Sequence, residues 1–291
     1  MNVLLVFVDG LGLGPEDPAI NPLHRGCCPT LERLLRVQAV PVDAGLGVAG
    51  DPQSATGQTA LLTGLNAAAF VGRHVEGFPG PALRALIREH NLFSRLARIG
   101  RRAAFANAYY ARDTAEVRAW RRQSVTTVAA LSAFGAVRTA ADLERGAAVY
   151  HDLTRAALRE RGYTGPLLTP AQAAAHLLAL SAAYDLTLFE YFQTDRAGHA
   201  GESSAVERVL AQLDEFLAQL IEGVQAGGTL LALVSDHGNI EDATRRGHTR
   251  NPVPLAAVGP AASALLGRVK TLTDVTPALL DLWRSPRPPE T

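Results

Sequence analysis

Cysteine and lysine are scarce in this chain of 291 residues. The two cysteines, Cys27 and Cys28, are adjacent, which argues against a disulfide framework and against a structural zinc knuckle. Lys270 is the only lysine, the 28 basic residues balance 28 acidic ones, and no Lys/Arg run is long enough to suggest a nucleic-acid groove. This composition argues against a nucleic-acid partner, so any anion binding has to be local.

Long apolar runs are also missing, since none approaches the ~20 residues that a bilayer-spanning helix needs. The first ten residues, MNVLLVFVDG, are apolar but have no basic leader and no small-residue cleavage site, and Asp9 interrupts them. We therefore expect a core strand at this position, no membrane partner and a cytoplasmic location. The sequence leaves the oligomeric state open.

Apolar runs of strand length alternate with helical segments along the chain. Strands are predicted at 3–8, 37–40, within 101–109, and at 185–192, 229–234 and 253–258. The main helices between them are predicted at 30–36, 81–90, 91–100, 205–224 and 273–282, with a further helix that begins at Pro170 after Thr169 as N-cap. This alternation predicts an α/β fold with a mostly parallel sheet and helices on both faces. Residues 110–168 have shorter, polar helices and are expected to form a small inserted cap on a core of 1–109 and 169–291.

Acidic and histidine side chains follow three of the predicted strands. Asp9 ends the first, the motif DRAGH follows the strand at 185–192, and the motif SDHGN follows the strand at 229–234. Parallel strands present their carboxyl ends at one edge of a sheet, so we expect these side chains to form one site. The glycines after Asp9 suggest a dinucleotide-binding turn as an alternative, but Pro15 interrupts the helix that such a turn requires.

Ser54 precedes a segment of small residues, ATGQTALLTG, which is predicted to be a helix with Gly64 as its C′ residue. A hydroxyl at a helix N-terminus lies against free backbone N–H groups and the positive end of the helix dipole. This position suits a phosphate ester formed on the serine oxygen. The alternative is that Ser54 is an ordinary N-cap.

The motifs FVDG, SATGQ…TG, DRAGH, SDHGN and GHTRNPVP resemble, in order and spacing, the metal-binding motifs of the alkaline phosphatase superfamily. The nearest resemblance is to the branch with cofactor-independent phosphoglycerate mutase and phosphopentomutase, and it covers the chain up to Gly64 and from Leu186 onwards. The resemblance implies two divalent metal ions, and mixed imidazole and carboxylate ligands favour Mn or Zn over Mg or Ca. One ion would be held by Asp195, His199 and His248, the other by Asp9, Asp236 and His237, with Ser54 as a nucleophile that bridges toward both.

The implied activity is that of a hydrolase or phosphotransferase acting on the phosphomonoester of a small metabolite through a phosphoserine. A phosphomutase is the alternative within the family. The mutases have a larger second domain and normally carry His where this chain has Gln58, so the sequence favours the hydrolase. A non-catalytic metal-binding protein is an alternative of another class, and a phosphodiesterase or a sulfatase is a more distant one.

The residues that contact the substrate are indicated less directly. Thr56 and Gln58 lie near the nucleophile in the sequence, and we expect them to orient it or the leaving group. Asn239 and Asn251 are expected to orient metal ligands. Six basic residues in the middle of the chain are candidate phosphate contacts, with solvated positions on helix faces as the alternative for each: Arg73, His74, Arg112, Arg118, Arg121 and Arg122.

Overall fold

The computed structural model describes residues 1–284, and in them six strands form one sheet. The strands are β1 (Val3–Val8), β2 (Ala39–Val42), β3 (Ala103–Phe105), β4 (Leu186–Tyr191), β5 (Leu230–Val234) and β6 (Val253–Val258). Their order across the sheet is β2-β6-β5-β1-β4-β3. The pairs of β1 with β4, β1 with β5 and β3 with β4 are parallel, which confirms the predicted mostly parallel sheet. Only β6 runs against its described neighbours, β5 and β2.

Helices cover both faces of this sheet, as the sequence predicts. The α-helices are α1 (Pro29–Gln38), α2 (Ser54–Thr63), α3 (Ala67–Val71), α4 (Pro81–His90), α5 (Leu92–Arg98), α6 (Thr114–Arg118), α7 (Val125–Phe134), α8 (Ala140–Glu144), α9 (Pro170–Ser181), α10 (Gln193–Ala200), α11 (Ser203–Gly227), α12 (Ala262–Leu266) and α13 (Leu272–Asp281). None of the helices in residues 1–284 combines the length and the apolarity needed to cross a bilayer.

The central strand β1 is buried throughout because its alternate side chains serve two apolar clusters. Leu4 and Val6 pack in one cluster with side chains of α1, α9 and α11. Leu5 and Phe7 pack in the other with side chains of α2, α4, α5, α7 and α13. The continuous aliphatic run at the start of the chain thus forms the middle layer of a three-layer fold.

Helix boundaries follow the local signals that the sequence contains. The Thr169 side chain caps α9 in a capping box with Gln172, with Pro170 as the first helical residue. Helix α2 ends at Gly64, whose φ of 74° lies in the left-handed region that glycine adopts without strain. The prediction of a strand at 37–40 is wrong at its start, because α1 continues to Gln38 and β2 begins at Ala39. The segment that follows β4 forms the helix α10, and Asp195 lies in the first turn of this helix.

The segment 110–168 contains two different structural parts. Helix α7 packs with Val125, Val128 and Ala129 in the apolar cluster of the main core, although the sequence places it in the cap. The second part has a small apolar cluster of its own, made of Ala108, Leu143, Ala148, Tyr150, Leu158 and Tyr163. We therefore retain the inserted cap as a proposal for the part that builds this second cluster.

Candidate metal centre

Three neighbouring parallel strands deliver the acidic side chains to one edge of the sheet. Asp9 follows β1, Asp236 lies two residues after the end of β5, and α10 brings Asp195 back over the end of β4. Because β4, β1 and β5 are adjacent and parallel, their carboxyl ends lie side by side. Gly10, with a φ of 72°, turns the chain there, and a Cβ on it would lie 2.8 Å from the Asp195 side chain.

Asp9, Asp236 and His237 form the first ligand group, with ligand atoms within 4.8 Å of one another. The Nε2 atom of His237 lies 3.2 Å from Asp9 Oδ1 and 3.5 Å from Asp236 Oδ2. Both carboxylate oxygens are buried and accept no hydrogen bond. A buried carboxylate oxygen without a donor is costly, and a bound cation would remove that cost. The residues therefore fit a divalent metal ion at this position.

A second group lies beside the first and contains Asp195, His237 and His248. The Nε2 atom of His248 is 3.5 Å from Asp195 Oδ1. His199 joins this group at its solvent side: its Nε2 lies 3.1 Å from His248 Nε2 and 3.5 Å from Asp195 Oδ2, and its side chain is 45% exposed. The structure thus brings together all six side chains that the motifs indicated, and His237 stands between the two groups.

Hydrogen bonds on the far side of two imidazole rings set their tautomers. Nδ1 of His248 lies 2.7 Å from the carbonyl oxygen of Pro52, and Nδ1 of His237 lies 3.3 Å from that of Gly238. A carbonyl oxygen can only accept, so each Nδ1 carries a hydrogen and, in the neutral ring, each Nε2 presents a lone pair. A histidine that ligates a metal through Nε2 requires this arrangement.

Ser54 is the first residue of α2 and lies against the first ligand group. The N-cap is Gln53, so Ser54 is not an ordinary N-cap; its hydroxyl lies 2.9 Å from His237 Nε2 instead. The helix can approach this closely because residue 57 is glycine. A Cβ at Gly57 would lie 2.9 Å from the carbonyl oxygen of Asp236. The serine oxygen and the ligand atoms therefore share one buried surface.

The charges of the site favour an added cation. Burial and the neighbouring Asp236 raise the pKa of Asp9 to about 7, and burial also raises the pKa of Asp236. Burial opposes a charge on His237, but the carboxylates of Asp236 and Asp9 outweigh it and raise the His237 pKa to about 10. Burial likewise opposes a charge on Asp195, but hydrogen bonding by His248 lowers its pKa to about 2. Three carboxylates in so confined a site attract positive charge, supplied by a proton on His237 or by metal ions.

Two amides and a buried carboxylate hold the ligand loops. Asn239 Nδ2 donates to Asp195 Oδ1 at 2.7 Å, and Asn251 Nδ2 donates to Glu241 Oε1 at 3.0 Å. Glu241 also accepts from the backbone N–H groups of Gly12 and Asn239 and from the Thr249 hydroxyl, and so ties the loop after β1 to the loop between β5 and β6. Sequence reasoning missed Glu241. A charged residue two positions after Asn239 in a buried stretch is the signal that indicates it.

A cavity of about 450 Å³ opens directly on Asp9, Ser54 and Asp195. Of the eight predicted substrate contacts, Gln58 and Arg122 line it, and Gln58 Nε2 donates to Asp9 Oδ2 at 3.3 Å. The remaining six residues do not line the cavity. Four of them have partners elsewhere: the Thr56 hydroxyl accepts from Val75 N, the His74 ring contacts Val48 O, Arg112 pairs with Glu116, and Arg118 donates to Gly135 O. The other two, Arg73 and Arg121, are exposed.

The cavity also contains polar residues that the sequence did not indicate. Arg161, Arg196 and His151 line it. The His151 ring packs against Tyr150 and Phe192, with centroids 4.1 and 4.4 Å away, and its Nδ1 accepts from Gln193 Nε2. Burial and the charges of Arg196 and Arg161 lower the His151 pKa to about 3, so the ring stays neutral and offers Nε2–H. Arg196 directly follows Asp195 and was detectable on that ground, whereas no motif indicates Arg161.

A family model and a relative with a known name agree with the metal centre that the geometry indicates. The family model of the Metalloenzyme superfamily matches residues 1–286. The 2,3-bisphosphoglycerate-independent phosphoglycerate mutase of Desulforudis audaxviator is 39% identical over 113 residues, a match that covers 37% of this chain and only 22% of the mutase.

Solved structures share the fold over the whole length. The PH0037 protein of Pyrococcus horikoshii superposes with a TM-score of 0.61 at 16% identity, with 99% of this chain and 98% of that chain covered. Alkaline phosphatase from the Antarctic bacterium TAB5 gives a TM-score of 0.60 at 13% identity, with 97% and 98% covered. The resemblance found in the motifs is thereby confirmed, and the chain belongs to the Metalloenzyme superfamily, with an alkaline phosphatase-like fold.

Proposed function

We propose that this chain is a hydrolase or phosphotransferase that acts on the phosphomonoester of a small metabolite through a phosphoserine at Ser54, with two divalent metal ions. One observation carries the proposal. The Ser54 hydroxyl, at the first residue of α2, lies 2.9 Å from His237 Nε2, in a group of three carboxylates and three imidazoles whose one exposed member is His199. A serine placed there has both a helix N-terminus and a metal-ligand group beside its oxygen.

The two ions are assigned by the shortest contacts between ligand atoms. We assign Asp9, Asp236 and His237 to one ion, because the two orphaned carboxylate oxygens face the same imidazole nitrogen. Asp195, His199 and His248 hold the other, since each carboxylate oxygen of Asp195 lies 3.5 Å from one of the two rings. Ser54 is proposed as a further ligand toward both. Oxygen and nitrogen donors together suit Mn or Zn.

When bound, the ions would supply the positive charge that lowers the pKa of the Ser54 hydroxyl and attracts a phosphate dianion. Ser54 and the start of α2 then carry out the transfer of the phosphoryl group. Ser54 Oγ forms a bond to phosphorus while the bond from phosphorus to the leaving oxygen breaks. The serine proton leaves to solvent, and the leaving oxygen takes up a proton from solvent to give the free alcohol. Ala55 N–H already donates to Val75 O, so the N–H groups of Ser54 and Thr56 are those of the first turn of α2 that would stabilise the phosphate oxygens. Water completes hydrolysis, whereas a second alcohol would complete a phosphate transfer.

Hydrolysis of p-nitrophenyl phosphate tests this proposal with wild type and Ser54→Ala, each supplied with Mn or Zn. We expect metal-dependent activity in wild type and its loss in Ser54→Ala, because no other hydroxyl replaces the Ser54 contact with His237. Ser204→Ala, at an exposed position of α11, is the matched control and should keep full activity. Full metal-dependent activity in Ser54→Ala would exclude Ser54 as the nucleophile.

A phosphomutase is the second candidate, because the relative from Desulforudis audaxviator carries that name. The match covers about a fifth of that mutase, and Gln58 contacts Asp9 where the mutases normally carry His. Product analysis separates the two candidates. Interconversion of 2- and 3-phosphoglycerate, or of ribose 1- and 5-phosphate, without release of inorganic phosphate would establish the mutase and exclude the hydrolase as main activity.

A further inference from the structure

Aromatic side chains are concentrated in the cavity beside Ser54. The chain has nine Phe, two Trp and six Tyr, and seven of these line this one cavity. They are Phe78, Phe105, Tyr109, Tyr110, Trp120, Tyr150 and Phe192. Core packing does not account for all of them, since Phe78 is 47% exposed and Tyr109, Tyr110, Trp120 and Phe192 are only partly buried. Partly exposed rings around a concave space are typical of a binding site.

Three of these rings form what we call the aromatic wall: Phe78, Tyr109 and Trp120. Trp120 packs edge-on against Tyr109 with ring centroids 5.5 Å apart, and the Tyr109 hydroxyl is anchored 2.6 Å from Thr127 Oγ1 in α7. The guanidinium of Arg122 lies over the Phe78 ring at 5.9 Å. The wall therefore combines flat apolar surface, a ring held in place by a hydrogen bond, and a cation at the rim.

We infer that the aromatic wall binds the leaving group, so that the preferred substrates are phosphate monoesters of alcohols that carry a planar ring. This inference rests on the proposed phosphoryl transfer at Ser54. Because Ser54, Asp9 and the wall line the same cavity, an ester whose phosphate lies at Ser54 extends its alcohol into that space. A cavity of about 450 Å³ falls in the range that holds ligands larger than a three-carbon acid. Stacking on aromatic side chains is the interaction that such a surface offers.

A small substrate with a second anionic group is the competing occupant, since Arg161 and Arg196 line the cavity too. Arg161, however, is already engaged with Tyr110: it donates to the Tyr110 carbonyl at 3.0 Å and lies 5.3 Å from the centre of its ring. An acidic three-carbon ester would contact Arg196 and leave the aromatic wall unused. The geometry therefore favours the ring, and 3-phosphoglycerate serves as the competitor in the test.

The first measurement compares kcat/KM for 2-phenylethyl phosphate, butyl phosphate and 3-phosphoglycerate. The first two release primary alkoxides of similar basicity, so their ratio isolates the binding of the ring. We expect a ratio of about 5 to 150 in wild type, the range that stacking on one aromatic side chain produces. In Trp120→Ala the ratio should fall toward one, and Trp120→Phe should keep most of it. Phe70→Ala is the control and keeps the wild-type ratio, because Phe70 is 60% exposed on α3 outside the cavity lining.

The second measurement detects binding without turnover. The chain has two tryptophans and six tyrosines, so in a Trp283→Phe background, with excitation that selects tryptophan, the emission comes from Trp120 alone. We expect 2-phenylethylphosphonate to quench it saturably at concentrations where butylphosphonate does not. Equal quenching by the two phosphonates would contradict the inference.

Failure of this inference and failure of the proposed function give different results. Turnover of all three esters with a ratio near one, a preference for 3-phosphoglycerate, or a ratio unchanged in both Trp120→Ala and Phe78→Ala would overturn the aromatic wall and leave the hydrolase intact. Ring-selective quenching without turnover of any ester would support the wall and contradict the proposed function.

Discussion

The imidazole rings of His237 and His248 stack on each other, with centroids 3.7 Å apart and planes 19° from parallel. His237 contacts Asp9 and Asp236, whereas His248 contacts Asp195 and His199. The two ligand groups thus share a wall of two rings, although both histidines come from the loop between β5 and β6. This stack places the two candidate ligand groups side by side, with Asp9 and Asp236 in one and Asp195 in the other.

Removal of His248 should therefore weaken metal binding at one of the two proposed sites and leave the other unchanged. In His248→Ala we expect the ion at Asp195 and His199 to bind at least about 10-fold more weakly, because losing one of its protein ligands costs at least as much as losing an outer partner. The ion at Asp9 and Asp236 should persist. Metal content after dialysis, measured by mass spectrometry of the metals, gives the number of ions retained per chain. His90→Ala, at the end of α4, is the control and retains both; equal loss of both ions from His248→Ala would contradict the assignment.

Asn239 should act on metal binding only through Asp195. Its amide donates to Asp195 Oδ1 at 2.7 Å and to the Asp195 carbonyl at 3.1 Å, which fixes the carboxylate relative to His248. Asn239→Ala is expected to weaken the Asp195 ion about 10- to 100-fold, the usual effect of removing an outer partner of a metal ligand. Titration calorimetry with Mn or Zn measures this change.

A simple loss of folding is separated from that effect by comparing two variants. Asn251→Ala removes an amide that donates to Glu241 and to none of the six proposed metal ligands. It should lower thermal stability in the metal-free protein while metal affinity stays within a few-fold of wild type. If the two variants changed metal affinity equally, Asn239 would have no specific positioning role.

The sequence predicts those parts of the fold and the site whose signals are local. The aliphatic run before Asp9 identifies a buried strand, and Thr169 with Pro170 identifies the start of α9. The direction of β6 could not be predicted from the sequence, because the run VPLAAV is equally compatible with a parallel and an antiparallel strand. Its antiparallel course follows from how the loop after β5 folds over the sheet edge, and no residue within the strand records it.

In the candidate site, too, the sequence predicts some features and not others. Strand ends with Asp and His predict which side chains meet, because parallel strands align their ends. They do not predict that His237 lies within reach of both carboxylate groups, which depends on the stacking of its ring on His248. The cavity walls are least predictable, since Phe78, Trp120 and Arg161 come from loops and short helices that only tertiary packing brings together.

Glu190 should give the metal-free protein a recognisable pH dependence. This carboxyl is buried at the end of β4, accepts from Thr126 Oγ1 at 2.6 Å, and has a pKa raised to about 8 by burial and by the nearby Asp9. From about pH 4.5 to about pH 8 the folded state holds a proton that the unfolded chain has lost, so stability falls as pH rises.

The variant Glu190→Gln removes this proton without changing the shape of the side chain. Its free energy of unfolding in urea with EDTA should decline less steeply with pH than that of wild type, by up to about 1.4 kcal/mol per pH unit between about pH 5.5 and about pH 7.5. Glu202→Gln, at an exposed position before α11, should keep the wild-type slope. Parallel slopes for wild type and Glu190→Gln would show that Glu190 is ionised in the folded protein.

Gly57 sets how closely α2 approaches the metal ligands, and a single methyl group should disturb it. A Cβ there would lie 2.9 Å from the carbonyl oxygen of Asp236 and 3.2 Å from its Cβ, and backbone on both sides leaves no flexible side chain to move away. We expect Gly57→Ala to cost about 1 to 3 kcal/mol of unfolding free energy, as overpacking of a core does, although alanine favours a helix interior by about 1 kcal/mol. Gly227→Ala, at the last helical residue of α11, places its new methyl in open space, so it should be neutral or stabilising. The displaced helix would move Ser54 away from His237, so kcat for p-nitrophenyl phosphate should fall in Gly57→Ala and stay unchanged in Gly227→Ala. Equal stability and equal kcat in the two variants would show that α2 can accommodate a methyl group beside Asp236.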